Sequence, residues 1–85
     1  MNHYSLTDKV RLNLTIQGRR TSLALESGIW DSLTEICRRE ELSLDELCDA
    51  IVRDSNGVSM ASAIRIGALR YFLDNGASAR GAAAV

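Results

Sequence analysis

The segment from residue 60 to residue 74 constrains the fold of this chain most, because apolar side chains cover most of a helix built from it. They fall on two sides of the helix: Met60, Ala63, Ile64, Gly67, Ala68 and Tyr71 on the first, and Ile66, Leu69 and Leu73 on the second. A helix that is apolar nearly all round has to be buried. Since a chain of 85 residues buries only a modest part of its surface, the sequence predicts that a second subunit covers one side.

Two shorter segments have the period of a β-strand. Apolar and polar residues alternate from residue 10 to residue 16, which is typical of a strand with one buried face. Gly18 interrupts this alternation, as a bulge or bend does. In the short strand that follows, Thr21, Leu23 and Leu25 are expected to face the core, and the outward residues are Arg20, Ser22 and Ala24.

Capping signals indicate three helices. Ser27 is expected to cap the first helix, and Ser43 and Glu46 have the spacing of a capping box at the start of the second. Ser59 is expected to cap the third, which we expect to run from residue 60 to about residue 74. The fold is therefore expected to be mainly α.

Charge is distributed unevenly along the chain. The net charge is −1, but residues 1 to 20 carry a net +3 and residues 21 to 54 a net −6. An anionic partner would therefore be bound by the N-terminal segment.

Several function classes are disfavoured. Cys37 and Cys48 occupy apolar helical positions without a CxxC pair or a Cys/His cluster, so we expect reduced core thiols and neither a metal nor a cofactor. We expect no enzyme and no small-molecule substrate, because no nucleophile has a visible base and no glycine-rich loop is present. No apolar run has the length of a membrane span and no signal peptide is evident, so we expect a cytoplasmic protein without a membrane partner.

Several short motifs occur in a fixed order and spacing. They are Gly18-Arg19-Arg20-Thr21-Ser22-Leu23-Ala24-Leu25-Glu26, Trp30-Asp31-Ser32-Leu33, Ser43-Leu44 and Ala61-Ser62-Ala63-Ile64-Arg65. In this order they resemble the ribbon-helix-helix proteins, such as the Arc and methionine repressors, and most closely a bacterial variety with an additional C-terminal helix. The resemblance covers about residues 16 to 74. Residues 1 to 15 are then expected to form an N-terminal arm, for which a strand is one option, and residues 75 to 85 a flexible tail.

The resemblance implies a mainly α fold with one short β-strand and a third helix. Two chains would form an intertwined homodimer, with an intersubunit two-stranded antiparallel ribbon that reads the major groove of double-stranded DNA. The base-contacting residues would be Arg20, Ser22 and Ala24, and the phosphate-contacting residues Arg19, Ser43 and Leu44. The implied dimer core comprises Leu23, Leu25, Trp30, Leu33, Ile64, Leu69 and Phe72. The expected function is a nucleoid-associated transcriptional repressor.

Other functions stay open. A dimeric protein-protein interaction module could use the same fold without DNA, and the acidic middle segment favours this alternative. The short tail, poor in bulky apolar residues, disfavours an antitoxin role. A third hypothesis, a monomeric three-helix helix-turn-helix protein, conflicts with the need to cover the third helix.

Overall fold

The computed structural model describes residues 5–76. The elements in chain order are β1 (Lys9–Ile16), β2 (Arg19–Glu26), α1 (Ser27–Glu40), α2 (Leu44–Arg53), α3 (Met60–Tyr71) and a π-helical segment (Phe72–Gly76). Within this part of the chain the two strands form an antiparallel sheet, and the three helices pack against one of its faces. Most of the expected tail, residues 77 to 85, lies outside the described residues.

β1 and β2 form a hairpin within one chain. The two connecting residues, Gln17 and Gly18, have φ angles of 55° and 77°, and positive φ at both positions is the feature of turns whose twist matches that of the flanking strands. The register pairs Ile16 with Arg19 beside the turn and Lys9 with Glu26 at the far end. The strand that alternation predicted from residue 10 to residue 16 is confirmed. The single short strand implied by the resemblance is wrong, because this tight turn folds residues 9 to 16 back along β2.

The hairpin also bears on two further expectations. The boundary drawn between residues 15 and 16 falls inside β1. One edge of β2 is already paired along its length by β1, so an intersubunit ribbon would need an edge of the sheet that β1–β2 pairing leaves free.

The face of the sheet that meets the helices supplies much of the core. Leu14, Ile16, Leu23 and Leu25 are buried there, together with the helix residues Trp30, Leu33, Ile36, Leu47, Cys48, Ile64 and Ala68. The indole Nε1 of Trp30 donates a hydrogen bond to the carbonyl oxygen of Val10 at 2.8 Å. This bond ties α1 to β1, so that the helix beneath the sheet also holds its first strand.

The helix starts follow the sequence signals at two of three places. The capping box of Ser43 and Glu46 is present, and Ser59 caps α3 by accepting a hydrogen bond from the backbone N–H of Ser62 at 3.1 Å. Ser27 is not the N-cap of α1 but its first residue. Its hydroxyl instead donates to the carbonyl oxygen of Ser5 at 2.8 Å, because the segment before β1 lies against the start of α1.

α3 has one buried and one exposed side. Ala63, Ile64 and Ala68 are buried, whereas Ile66, Leu69 and Leu73 are 58%, 61% and 61% exposed. One copy of the chain thus leaves an apolar surface uncovered, which we name the apolar side of α3. The α-helix α3 ends at Tyr71, and the π-helical segment continues the helix to residue 76. Leu73 lies in this segment.

The residues expected to form a dimer core divide in the same way. Those buried within a single chain are Leu23, Leu25, Trp30, Leu33 and Ile64. Phe72 is half-buried, and Leu69 belongs to the apolar side of α3. Among these residues Leu69 is thus the one that a partner chain would newly bury in large part.

Both cysteines are free thiols, and Cys48 lies in the core whereas Cys37 is half-buried. Burial raises the pKa of the Cys48 thiol to about 12, so the thiol is neutral near pH 7. Among residues 5–76 no group of His, Cys, Asp or Glu side chains is arranged to hold a metal. No helix in the described part is both long and apolar enough to cross a bilayer.

Candidate nucleic-acid interface

The sheet surface that points away from the helices is polar along both strands. We name it the outer face and define it by seven residues that alternate with the core residues: Lys9, Arg11, Asn13, Thr15, Arg20, Ser22 and Ala24. The eighth position on this side, Glu26 opposite Lys9, is bound to α3 by Arg65. All seven residues are exposed except Ala24, which is half-buried. Arg20, Ser22 and Ala24 therefore lie on the side of the strand that alternation predicted, while the contribution of β1 was missed.

The outer face is cationic because its two strands contain one acidic residue, Glu26 at the end of β2, against four basic ones. Residues 9 to 25 contain Lys9, Arg11, Arg19 and Arg20 and no aspartate or glutamate. Arg19 is exposed beside the turn. Within residues 5–76, neither Arg19 nor Arg20 has an ion pair or a hydrogen bond from its guanidinium. Both can therefore bind an external anion or acceptor without first breaking an internal bond.

The one acidic residue of β2, Glu26, is neutralised by Arg65 of α3. Arg65 binds Glu26 through two hydrogen bonds, Nε to Oε1 at 2.9 Å and Nη2 to Oε2 at 3.3 Å. The Arg65 guanidinium lowers the pKa of the Glu26 carboxyl below its usual value. Two residues from separate sequence motifs thus form one ion pair, which fastens the end of β2 to α3 and removes a negative charge from the vicinity of the outer face.

Two side chains on opposite strands contact each other on the outer face. Arg11 Nη1 donates to Ser22 Oγ at 3.1 Å. In the register Arg11 pairs directly with Ala24, and Ser22 pairs with Asn13. The guanidinium of Arg11 therefore reaches diagonally over β2. Sequence alternation indicates that Arg11 points outward, but which β2 residue it meets depends on the register.

A carboxylate on α2 holds the turn of the hairpin. Asp49 Oδ1 accepts a hydrogen bond from the backbone N–H of Gln17 at 2.6 Å, and Asp49 Oδ2 accepts one from Arg53. The Gln17 bond, followed by the Arg53 bond, lowers the pKa of Asp49. No sequence motif indicated this contact, because it joins residues far apart in the chain. It fixes the tip of the outer face relative to the helices.

The start of α2 carries two of the expected phosphate contacts, Ser43 and Leu44. The capping box already satisfies two N–H groups there: Ser43 N–H donates to Glu46 Oε1 at 2.8 Å, and Glu46 N–H to Ser43 Oγ at 3.1 Å. Asp45 and Glu46 add two negative charges to the first turn. A phosphate at this helix end would therefore have to use the N–H of Leu44 or Asp45 against that repulsion.

The chain has a two-stranded antiparallel sheet with helices packed on one face and a cationic outer face on the other. This architecture is that of small domains that present a β-ribbon to a partner. A family model described as a ribbon-helix-helix domain matches residues 10–72. The chain belongs to the ribbon-helix-helix family, whose domains are in general non-enzymatic DNA-binding regulators. The match includes nearly all of β1, which the resemblance drawn from residue 16 onward left out. Searches of curated proteins and of solved structures gave no significant match.

Proposed function

We propose that the chain is a dimeric, sequence-specific DNA-binding protein that represses transcription in the cytoplasm, at the nucleoid, by placing the outer face in a major groove. The observation that carries this proposal is the uncompensated cationic outer face of the hairpin. A two-stranded ribbon fits the major groove, where outward side chains reach the edges of the bases. Lys9, Arg11, Arg19 and Arg20 provide the charge that attracts phosphates.

The roles of the β2 residues follow from their chemistry. Arg20 has a free guanidinium fork that matches the paired acceptors of guanine. Ser22 can donate to or accept from a base. Ala24 offers a methyl group that can contact the methyl group of thymine. Arg19, beside the turn, is suited to a phosphate at the edge of the groove, and the weaker phosphate candidates are Ser43 and Leu44.

A second copy of the chain is the proposed partner in the dimer. It would cover the apolar side of α3 and the exposed residues Val10 and Leu12, which lie on the helix-facing side of β1 but are 38% and 36% exposed. An open groove of about 600 Å³ between α2 and α3 continues the apolar side of α3 at Ile66. If the free edges of the two β2 strands pair, the intersubunit ribbon becomes the centre of a four-stranded sheet.

The proposal is tested by binding to duplex DNA at several salt concentrations. We expect the logarithm of the wild-type affinity to fall steeply and linearly with the logarithm of salt concentration. Arg20→Ala removes one bidentate base contact from each half-site of the dimer and should therefore lower affinity for a selected duplex by about a hundredfold. Arg38→Ala removes an exposed cation from α1 and is the matched control, with little expected effect. Absence of wild-type binding to any genomic fragment at low salt would rule out the proposal.

A dimeric protein-interaction module is the second candidate. It is favoured by the acidic α1–α2 region and by the edges of the hairpin, which could pair with a strand of another protein. Capture of a stoichiometric protein partner that Arg20→Ala leaves bound, without DNA binding, would support this function instead. A toxin-like reading frame beside the gene would indicate the antitoxin form of the same role.

A further inference from the structure

The row of proposed base contacts on β2 has a gap at its end. Arg20 and Ser22 carry polar groups, but Ala24 presents one methyl group. In the register the residue directly across from Ala24 is Arg11 of β1. Side chains directly opposite each other on antiparallel strands are close enough to share one surface position, and the small Ala24 leaves room for the longer one.

The guanidinium of Arg11 is held over β2 rather than at the free edge of β1. Its Nη1 donates to Ser22 Oγ at 3.1 Å, which brings the group over β2 and away from the outer edge of β1. An arginine has five N–H donors in a planar fork, so the bond to Ser22 leaves donors for a base. Because Ser22 Oγ accepts from Arg11, the Ser22 hydroxyl hydrogen remains available to donate.

We propose that Arg11 is a specificity-determining residue of this DNA site and reads a guanine beside Ser22, in the base pair next to the one that the methyl group of Ala24 can contact. This inference rests on the proposed function. The β2 row of Arg20, Ser22 and Ala24 is then completed from β1, and the outer face carries two arginine forks rather than one. Lys9 is different: it lies at the end of β1 beside Glu26 and its positive charge acts on that carboxylate, so it is not assigned a base.

The inference predicts that Arg11 and Arg20 specify different base pairs. Bound duplexes are selected from a random pool with wild type, Arg11→Ala, Arg11→Lys and Arg20→Ala, with Arg38→Ala as the control. Affinity for the selected duplex and for its single-base variants is then measured at two salt concentrations. Arg11→Ala should lose a guanine preference at one position of each half-site and bind the selected duplex about a hundredfold more weakly. Preferences at other positions should be retained.

Arg11→Lys separates charge from shape. Lysine keeps the positive charge but lacks the planar fork, so this variant should keep the salt dependence of wild type. Its guanine preference should be weaker, although an ammonium group can still donate to guanine acceptors. Arg11 is exposed, so circular dichroism should show wild-type folding; if Arg11→Ala does not fold, Arg11→Lys decides. A further variant, Ala24→Gln, places a long side chain in the space that Arg11 uses and should also change the preference at that position.

Three results would overturn the inference in distinguishable ways. If Arg11→Ala weakens binding equally to all duplexes and lowers the salt slope by about one per chain, or about two for the dimer, Arg11 contacts a phosphate, and the DNA-binding proposal stands. If Arg11→Ala binds with unchanged affinity and preference, Arg11 has no role in recognition, and the proposal again stands. If wild type selects no duplex at low salt, both the inference and the proposed function fail.

Discussion

The outer face of the sheet and the apolar side of α3 are both left uncovered by a single chain, but their chemistry is opposite. The outer face has three cations and three further exposed polar side chains in alternation with core residues. The apolar side of α3 exposes three large aliphatic side chains, Ile66, Leu69 and Leu73. In both cases the opposite side of the same element, the sheet or α3, packs into the core.

This difference shows that one chain can carry two separate binding surfaces on a single core. Exposed apolar side chains gain free energy by leaving water, so the apolar side of α3 suits a second copy of the chain. Free guanidinium groups gain from an anion and from base acceptors, so the outer face suits DNA. Substitutions can therefore separate folding, dimer formation and DNA binding.

Substitutions on the two sides of β2 should differ most in their effect on stability. Leu25 is 0% exposed, so Leu25→Ala should lower the free energy of unfolding by about 2–5 kcal/mol. Ser22→Ala, on the outer face of the same strand, should change it by no more than about 0.5 kcal/mol. Urea unfolding followed by circular dichroism measures both. Equal losses would show that the outer face is covered in the folded protein.

The apolar side of α3 should control dimer formation. We expect Ile66→Ser combined with Leu69→Ser to raise the dimer dissociation constant at least about a hundredfold, because each apolar side chain buried is worth about 1.5–3 kcal/mol. Sedimentation at several concentrations measures this. Arg38→Ser, at an exposed position of α1, is the control. An unchanged dimer would mean that the subunits meet elsewhere.

The hairpin turn should contribute a smaller amount. Gly18 has a φ of 77°, and an added Cβ would meet nothing within 4 Å. The expected cost of Gly18→Ala is therefore the backbone strain of an L-residue, about 1–2 kcal/mol. Thermal unfolding tests this, and DNA affinity of the folded variant shows whether the outer face is altered. A stabilised variant would contradict the turn geometry.

The ion pair between Glu26 and Arg65 connects the two regions and should have the smallest effect, dependent on pH. Arg65 lowers the Glu26 pKa in the folded state, so the stabilisation is present above the unfolded pKa and is lost as pH falls through the lowered folded value. The stability difference between wild type and Glu26→Gln should thus be present at pH 7 and disappear at strongly acidic pH. Added salt should reduce it at pH 7. A difference that grows toward low pH would have the wrong sign.

The local features of the fold could be predicted from the sequence. The alternation of Leu23 and Leu25 with Arg20 and Ser22 was sufficient to assign the two sides of β2, and the spacing of Ser43 and Glu46 identified the start of α2. These signals work because they depend on residues close together in the chain. The N-cap at Ser27 was wrong because its hydroxyl bonds to Ser5, a contact formed only in the folded chain.

The pairing of the two strands could not be predicted in the same way. Alternation from residue 10 to residue 16 indicates a strand but does not identify its neighbour, and a resemblance to single-strand proteins placed the neighbour of β2 in another subunit. The turn contains glutamine at its first position, which is a weak hairpin signal compared with Asn-Gly. Arg11 was therefore missed as a member of the site, since only the register brings it to Ser22 and Ala24.

The short turn at Gln17 and Gly18 has a consequence for how such a protein can change over evolutionary time. Because side chains alternate every second residue, inserting a single residue there would shift the register and exchange the two sides of a strand. Leucines would then face solvent, and polar groups would enter the core. The length of the turn is thus constrained, whereas the residue type at outward positions is not. New target preferences can therefore arise by single substitutions that leave the fold intact.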